Sequence, residues 1–291
     1  MNSALEEQTC VVVGAGRGIG RLLADELAAR GADLVLAARS RDELERASRE
    51  ITAAHGSSVH VLPTDVADHE SVVALAEFAR ERGPVTGLVN CAAILGPVGR
   101  LDEVDAGAWR RAVTVDLLGT ASCCAAFAPV LADAGGGSIV NFSGGGIGGP
   151  GLPERISAYA AAKAGVVVLT EVLGREFAAL GVRVNVVAPG PVPTGFMAEV
   201  LAGGADAAGA ELYDRTVAQH AEPEPTDGLV DLVTFLLSSE AAAITGRFLS
   251  AKWDPVPAVR AWAAGGVNPS RYTLRRIDEA LFAEAGDGAA G

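Results

Sequence analysis

Apolar residues follow two alternating patterns along most of the chain. Short runs of Val, Leu, Ile and Ala predict buried strands, and stretches with apolar residues three and four positions apart predict helices. The predicted strands are residues 9–13, 32–38, 58–62, 85–89, 137–143, 182–187 and 248–250. The predicted helices are residues 18–30, 42–55, 68–82, 106–132, 156–180 and 226–238. This alternation predicts an α/β fold, doubly wound around a central parallel sheet, in a single domain.

A glycine-rich turn joins the first predicted strand to the first predicted helix. It carries Gly14, Gly16, Gly18 and Gly20, with Arg17 and Ile19 between the later glycines. Glycines let the backbone approach a pyrophosphate closely, and a helix N-terminus offers N–H donors and the positive end of a dipole. The turn therefore predicts a dinucleotide site.

A tyrosine and a lysine lie four residues apart in an Ala-rich stretch, Tyr159 to Lys163. On a helix these two side chains share one face. A neighbouring ammonium stabilises phenolate and lowers the pKa of the phenol, which suits a proton donor near neutral pH. Taken alone, the pair could equally be an ordinary helix-surface contact.

Together the two motifs resemble the short-chain dehydrogenase/reductase superfamily, classical type, over about residues 8–250. The resemblance implies a Rossmann fold and a domain of residues 1–250, followed by a C-terminal extension of residues 251–291. It also implies that Tyr159 exchanges a proton with the substrate oxygen. Lys163 would then depress the pKa of Tyr159 and hold the ribose hydroxyls of the cofactor.

The resemblance also assigns cofactor contacts. Asp65 would accept a hydrogen bond from the adenine amino group, although it could also serve as an acid at a helix N-terminus. The motif Asn90-Cys91-Ala92-Ala93 matches the family's Asn-Asn-Ala-Gly only at Asn90 and Ala92. The full set of expected cofactor residues is Gly14, Gly16, Arg17, Gly18, Ile19, Gly20, Arg39, Asp65, Val66, Asn90, Ala92, Tyr159, Lys163, Pro189, Gly190, Val192 and Thr194.

The end of the second predicted strand bears on the choice between NADPH and NADH. An acid near this point usually binds a free ribose 2′-hydroxyl, but Ala38 and Arg39 stand here instead. Arg17 in the glycine turn adds a second guanidinium, and two guanidiniums suit a 2′-phosphate. We therefore predict NADPH as the cofactor; the alternative is that both arginines are simply solvated.

Two expected catalytic positions depart from the family pattern. Asp116 stands where the family has Asn, which holds a helix kink and a water that relays protons to the lysine; here the acid could also only cap or kink the helix. Gly144 stands where the family has the Ser that polarises the substrate carbonyl, and Ser143 precedes it. The glycine-rich loop could turn Ser143 inward, or Tyr159 and backbone N–H groups could polarise the oxygen without a serine.

Two further segments have open roles. Residues 195–224 are rich in Gly and Ala and predict either a mobile substrate lid or an insertion without a role. The extension of residues 251–291 combines Trp253, Trp262 and Tyr272 with arginines. This combination predicts either docking onto a surface, such as a neighbour's active site, or an ordinary packed extension.

Composition limits the remaining choices. The 291 residues are 49% hydrophobic and carry a net charge of −13, which argues against a nucleic-acid partner. No apolar run looks long enough to span a membrane, so we expect a soluble, cytoplasmic protein. The four cysteines lack metal-ligand spacing and are expected to be reduced thiols, with no metal site. Relatives pair through the helices of residues 106–132 and 156–180, so a homodimer or homotetramer is expected.

The sequence thus predicts an NADPH-dependent oxidoreductase that reduces a ketone of a small molecule, or oxidises the alcohol, in specialised metabolism. Asp116, Glu154 and the negative net charge suggest a polar or amino-bearing substrate. Two alternatives remain: an enzyme of this fold with non-redox chemistry, and a cofactor-binding regulatory protein without turnover.

Overall fold

The computed structural model describes residues 5–144, 146–148, 152–192, 195–223, 225–266, 268 and 271–274. Within them, seven parallel strands form one sheet in the order β3-β2-β1-β4-β5-β6-β7. The strands are β1 (Thr9–Val13), β2 (Asp33–Ala38), β3 (Val59–Pro63), β4 (Val85–Asn90), β5 (Gly137–Phe142), β6 (Val182–Ala188) and β7 (Phe248–Ser250). The strand order reverses between β1 and β4, which is where a doubly wound sheet opens a crevice for ligands.

Helices cover both faces of the sheet. They are α1 (Gly18–Ala29), α2 (Arg41–His55), α3 (His69–Arg80), α4 (Ala106–Val113), α5 (Gly119–Asp133), α6 (Ser157–Glu176), α7 (Gly195–Ala208), α8 (Ala210–Ala221), α9 (Asp227–Leu237) and α10 (Val256–Ala264). Side-chain caps fix three of their starts: Ser40, Asp68 and Asp105 each accept a hydrogen bond from a first-turn N–H group. These caps satisfy donors that a helix N-terminus otherwise leaves unpaired.

The two faces of the sheet bury alternate residues of the same strands. Cys10 and Val12 pack in a core with α1, α2 and α9, whereas Val11 and Val13 pack in a second core with α3 and α5. Successive strand side chains point to opposite faces, so a strand buried on both faces is apolar throughout. This explains why the predicted strands read as continuous apolar runs.

A π-helical turn, Thr114–Leu118, separates α4 from α5 and contains Asp116. Such turns insert one residue into a helix and are frequent at functional sites. The π-turn at Asp116 interrupts the α-helical hydrogen bonding, but the helical stretch that the sequence predicted over residues 106–132 continues through it.

The segment predicted as a mobile lid is helical. Helices α7 and α8 fill residues 195–221, and Val200, Ala208 and Leu212 are buried between them and the body of the protein. Ala-rich composition favours helix, and this propensity outweighs the glycines. Gly204 and Gly209 take left-handed φ angles of 72° and 76°, where the chain bends.

The described part of the extension packs on its own chain. Trp262 of α10 is buried and meets the ring of Tyr272 edge to face, with ring centroids 4.8 Å apart. The carbonyl of Tyr272 accepts a 2.7 Å hydrogen bond from the N–H of Phe248 on the edge strand β7. Arg275 and Arg276 lie outside the described residues.

Two helical stretches, Ala106–Asp133 and Ser157–Glu176, are long and apolar enough to cross a membrane by length and composition. The first stretch is continuous because the π-turn joins α4 to α5, and the second stretch is α6. Both stretches pack within the protein, with 56% and 44% of their apolar windows buried.

Candidate active site

The glycine turn after β1 is fixed by close backbone contacts. Gly14 has a left-handed φ of 86°, and a Cβ there would lie 2.6 Å from the backbone nitrogen of Ala92. A Cβ on Gly20 would overlap the carbonyl oxygen of Gly14. Side chains are therefore excluded at both positions, and α1 packs directly on the turn.

The N-terminus of α1 opens on a cavity without a capping side chain. Arg17 at the cap position makes no side-chain cap, and the first turn contains no acidic residue. Its N–H groups and the helix dipole thus favour an anionic ligand at this point. A pyrophosphate fits these residues.

The cavity runs along the carboxyl ends of the strands and has a volume of about 1550 Å³. Ordinary small-molecule sites occupy roughly 300–1,000 Å³, so this cavity has room for a dinucleotide and a substrate together. Most of the expected cofactor residues line it: Gly14, Gly16, Arg17, Gly18, Ile19, Gly20, Arg39, Asp65, Val66, Ala92, Tyr159, Pro189, Gly190 and Val192. Thr194 lies outside the described residues.

Tyr159 stands on the wall of this cavity, on the first turn of α6. Its ring packs against Phe196 of α7, with centroids 4.9 Å apart. A Cβ added to Gly144 would lie 2.5 Å from Tyr159 Cε1, so the glycine backbone forms a flat support for the ring. Burial raises the pKa of Tyr159, and the carboxyl of Asp116 raises it further. The phenol therefore holds its proton at neutral pH.

Lys163 lies behind Tyr159, buried from solvent, with its Nζ 5.8 Å from the centre of the tyrosine ring. The Nζ donates a 3.1 Å hydrogen bond to the carbonyl of Phe142 at the end of β5. Burial lowers the pKa of Lys163, while Asp116 and Cys91 partly offset this effect. The expected lowering of the Tyr159 pKa by Lys163 is not what the structure shows, because burial of the phenol dominates.

Asp116 is fully buried beneath the site. Its Oδ1 accepts a 2.9 Å hydrogen bond from the N–H of Ile94, and its Oδ2 has no hydrogen-bond partner among the described residues. Burial raises the pKa of this carboxyl to about 6, although Lys163 and the Ile94 N–H act in the opposite direction. Asp116 therefore makes the acceptor contact to the backbone that an Asn could make.

Comparison with known proteins is consistent with this site. The family profile for short chain dehydrogenases matches residues 8–203. The chain is 37% identical to cis-4-hydroxycyclohexanecarboxylate dehydrogenase from Sinomonas cyclohexanicum, over 86% of this chain and 97% of that enzyme. It is 32% identical to cyclohexanol dehydrogenase from Acinetobacter sp. (strain SE19), over 84% and 94% of the two chains.

A solved structure shows the same likeness. A variant of actinorhodin polyketide ketoreductase with NADPH superposes with a TM-score of 0.75 at 28% identity, covering 86% of this chain and 97% of that one. The chain belongs to the short-chain dehydrogenase family. It is an NAD(P)-dependent oxidoreductase of a small molecule, so the predicted family, fold class and enzyme class are confirmed.

Ser143 lies outside the cavity wall of this short-chain dehydrogenase. Its side chain is buried, it does not line the cavity, and its hydroxyl has no hydrogen-bond partner among the described residues. The backbone of Ser143 continues the sheet, since its N–H donates to the carbonyl of Val187. This pairing continues the register of β5, and since Ser143 does not line the cavity, the structure does not place its hydroxyl beside a substrate carbonyl.

Asn90 is also placed differently from its expected role. Its Nδ2 donates a 2.9 Å hydrogen bond to Asn141 Oδ1, and Asn141 in turn donates to Thr170. This buried chain ties β4, β5 and α6 together, and Asn90 does not line the cavity. Its side chain therefore holds the sheet rather than facing the cofactor site.

Asp65 lines the cavity but already has partners. Its Oδ2 forms a 2.8 Å ion pair with Arg111 of α4, and its Oδ1 accepts a hydrogen bond from the N–H of Ala67. The Arg111 hydrogen bond and charge, with the Ala67 N–H, lower the pKa of Asp65 although its partial burial opposes them. The local acid role and the adenine contact remain compatible, since a carboxylate accepts several hydrogen bonds.

Several cavity residues were missed in the sequence. Glu43 lies over Gly16, and a Cβ on that glycine would stand 2.5 Å from Glu43 Oε2. The pattern Ser40-x-x-Glu43 is a capping-box signature that could have placed this acid beside the turn. The others come from α7 and α8, where no motif marks them: Phe196, Met197, Glu199, Leu212, Arg215 and Gln219.

Proposed function

We propose that this short-chain dehydrogenase interconverts a secondary alcohol and a ketone on a small carbocycle, with NADP(H) as cofactor. The observation that carries the proposal is the position of the Tyr159 phenol on the wall of a cavity with apolar sides. Leu95, Ile156, Phe196 and Leu212 surround that phenol in one cluster. Both relatives described above are named for alcohols on six-membered carbocycles, which fit such a wall.

Tyr159 would donate its proton to the substrate oxygen during reduction and recover it during oxidation. A bound nicotinamide supplies or accepts the hydride. Lys163 would hold the backbone at Phe142 and place a positive charge behind the phenol, and Asp116 would fix the loop after β4 through the N–H of Ile94. No serine hydroxyl is included, because Gly144 occupies that place against the tyrosine ring.

The choice of NADP(H) rests on Arg17 and Arg39. Both side chains are exposed, both line the cavity, and Ala38 leaves no acid at the end of β2. Glu43 lies on the same wall and could compete by binding a free ribose hydroxyl. We expect Arg39→Asp to reverse or abolish the preference for NADPH, measured as Kd for each cofactor. Equal affinity of the unmodified enzyme for NADPH and NADH would contradict the assignment.

We further propose a soluble, cytoplasmic homodimer or homotetramer. Leu118, Val168 and Val172 are 54%, 54% and 45% exposed, and they lie on the π-turn and helix α6. An apolar surface of this kind is typical of a face that another subunit covers. Residues 1–250 would form the catalytic domain, and the extension of residues 251–291 would complete the cavity through Lys252, Trp253 and Tyr272.

The experiment that tests this function compares cyclic with open-chain substrates. The deciding experiment incubates the enzyme with NADPH or NADH and a panel of ketones: cyclohexanone, 4-oxocyclohexanecarboxylate and an open-chain ketone. We expect oxidation of the reduced cofactor with the cyclic ketones and an alcohol product that is two mass units heavier, as mass balance for hydride and proton addition requires. Equal oxidation of the cofactor with the open-chain ketone would contradict the carbocyclic substrate class, and no oxidation with either cyclic ketone would reject it.

A further inference from the structure

Helix α8 turns one face toward the cavity. Leu212, Arg215, Thr216 and Gln219 line it, at spacings of three, four and seven residues. Residues at these spacings share one helix face. The opposite face carries exposed Glu211 and Asp214. The only charged side chain on the inward face is therefore a cation, in a protein whose net charge is −13.

This face lies close to the catalytic phenol. Leu212 is buried in the cluster that also contains Tyr159 and Phe196. Arg215 follows Leu212 by less than one helical turn, so its Cα lies on the order of 10 Å from that cluster or closer. A flexible arginine side chain can span much of this distance. The guanidinium is thus within reach of the far side of a small molecule whose oxygen meets Tyr159.

Arg215 has no ion-pair partner within the part of the chain that the structure describes. Arg215 is partly buried. The hydroxyl of its neighbour Thr216 donates a hydrogen bond to the carbonyl of Leu212 rather than contacting the arginine. The other charged groups on this side of the cavity are Glu199, Lys252 and Asp254. Glu199 is exposed at the rim, Lys252 lies 5.1 Å from the ring of Trp253, and Asp254 accepts a hydrogen bond from Ser250.

We propose that Arg215, assisted by the Gln219 amide, binds an anionic group of the substrate, and that the physiological substrate is a carbocyclic alcohol or ketone bearing a carboxylate. The inference rests on the proposed function and adds the substrate's second functional group. A guanidinium matches a carboxylate with two parallel hydrogen bonds, which fixes orientation as well as affinity. The same contact would hold one face of the ring toward the cofactor and thereby select the stereochemistry of the alcohol.

The test compares an acidic and a neutral substrate of the same ring size. For Arg215→Gln, we expect kcat/KM for 4-oxocyclohexanecarboxylate to fall roughly thirtyfold or more, mainly through KM, the scale of a lost charge-assisted hydrogen bond. The value for cyclohexanone should change less than about twofold. Arg46→Gln removes the same charge from the exposed face of α2 and serves as the control. Equal losses for both substrates, or no loss for the acid, would overturn the proposal.

A binding measurement separates this proposal from the reaction itself. Cyclohexanecarboxylate cannot be oxidised at C4, so its affinity for the cofactor-loaded enzyme can be measured by calorimetry without turnover. Binding that Arg215→Gln weakens at least tenfold and Arg46→Gln leaves unchanged would support the anion site even if the ketones proved inert. Loss of NADPH affinity in Arg215→Gln would instead assign the arginine to the cofactor phosphates and reject the substrate role.

Discussion

Backbone groups line one end of the cavity, and side chains line the other. At the cofactor end, the glycine turn and the start of α1 offer backbone groups, and neighbouring backbone leaves no space for side chains at Gly14 and Gly20. At the substrate end, side chains from α6, α7, α8 and the extension form the walls. Few substitutions at the cofactor end would preserve its shape, whereas single side chains at the substrate end can be replaced without changing the backbone.

This difference explains why the family is easily recognised while the substrate is not. Backbone geometry at a tight turn depends on glycine and is visible as a motif. Which side chains of α8 line the substrate end depends on the face that the helix turns toward the cavity. No local sequence motif specifies that face. The predictions below test whether chemistry, cofactor binding and substrate binding separate along the same boundary.

The largest expected effect belongs to Tyr159, where the two ends meet. Tyr159→Phe keeps the ring that packs on Gly144 and Phe196 but removes the proton donor. We expect turnover to fall at least about a hundredfold, the scale of a lost general acid, with little change in cofactor affinity. Steady-state kinetics and cofactor titration measure the two quantities. Turnover within a few fold of the unmodified enzyme would mean that another group delivers the proton.

The second prediction concerns the cofactor end alone. In Gly20→Ala the added methyl would overlap the carbonyl of Gly14, so α1 must shift away from the turn. We expect NADPH affinity to fall at least about tenfold and stability to fall by about 1–3 kcal/mol, as for other overpacked sites. Gly203→Ala is the matched control, because its methyl would meet only Ala207 at 3.7 Å. Similar losses in both variants would show that helix disturbance in general, not the turn, is responsible.

Much of the fold followed from the sequence because its strands are buried on both faces. The predicted strands 9–13 and 248–250 coincide with β1 and β7, and the boundaries of the other five differ from the structure by one residue. The glycine turn placed the cofactor end correctly for the same reason: its constraint is local. The residues that matter there, such as Gly14 and Ala92, contact each other through backbone atoms.

The pKa values at the site and the choice of residues that line the cavity depend on how deeply each side chain is buried and on which face of its element it lies. Neither can be read directly from the sequence. The effect of Lys163 on Tyr159 was inferred from spacing, but the depth of burial decides the direction of the pKa shift. Asp116 and Glu154 suggested an amino-bearing substrate, yet neither lines the cavity. The negative net charge, the third reason for that suggestion, describes the whole surface, whereas the cavity face of α8 carries Arg215.

The third prediction uses pH to probe the buried acid beneath the site. The folded pKa of Asp116 is about 6, above its ordinary value of 3.8. The folded state therefore binds this proton more tightly than the unfolded state, so the contribution of Asp116 to stability falls as pH rises from about 4 to about 6. Asp116→Asn carries no such charge. The stability of the variant relative to the unmodified enzyme should rise over that range by on the order of 1–3 kcal/mol.

Chemical denaturation of both proteins between pH 4 and pH 8 measures this difference. The Asn side chain can still accept the hydrogen bond from Ile94, so activity should change only a few fold. A stability difference that is flat with pH would show that Asp116 titrates normally. A large loss of activity together with the expected pH dependence would show that the negative charge itself serves catalysis.

The smallest expected effect is at Ser143, the position where a serine-dependent mechanism and a serine-free mechanism disagree most. Its hydroxyl is buried, unpaired among the described residues and absent from the cavity wall. If it polarised the carbonyl, Ser143→Ala would lower kcat by roughly 10²–10³, as for a lost oxyanion donor. We expect instead a change of less than about threefold, with stability unchanged or slightly higher because an unpaired buried hydroxyl is removed.

Gly144→Ser is the companion variant. Its Cβ would stand 2.5 Å from Tyr159 Cε1, so we expect it to displace the catalytic ring and lower kcat. A hundredfold loss in Ser143→Ala, in a variant whose circular dichroism matches the unmodified enzyme, would restore the serine to the mechanism.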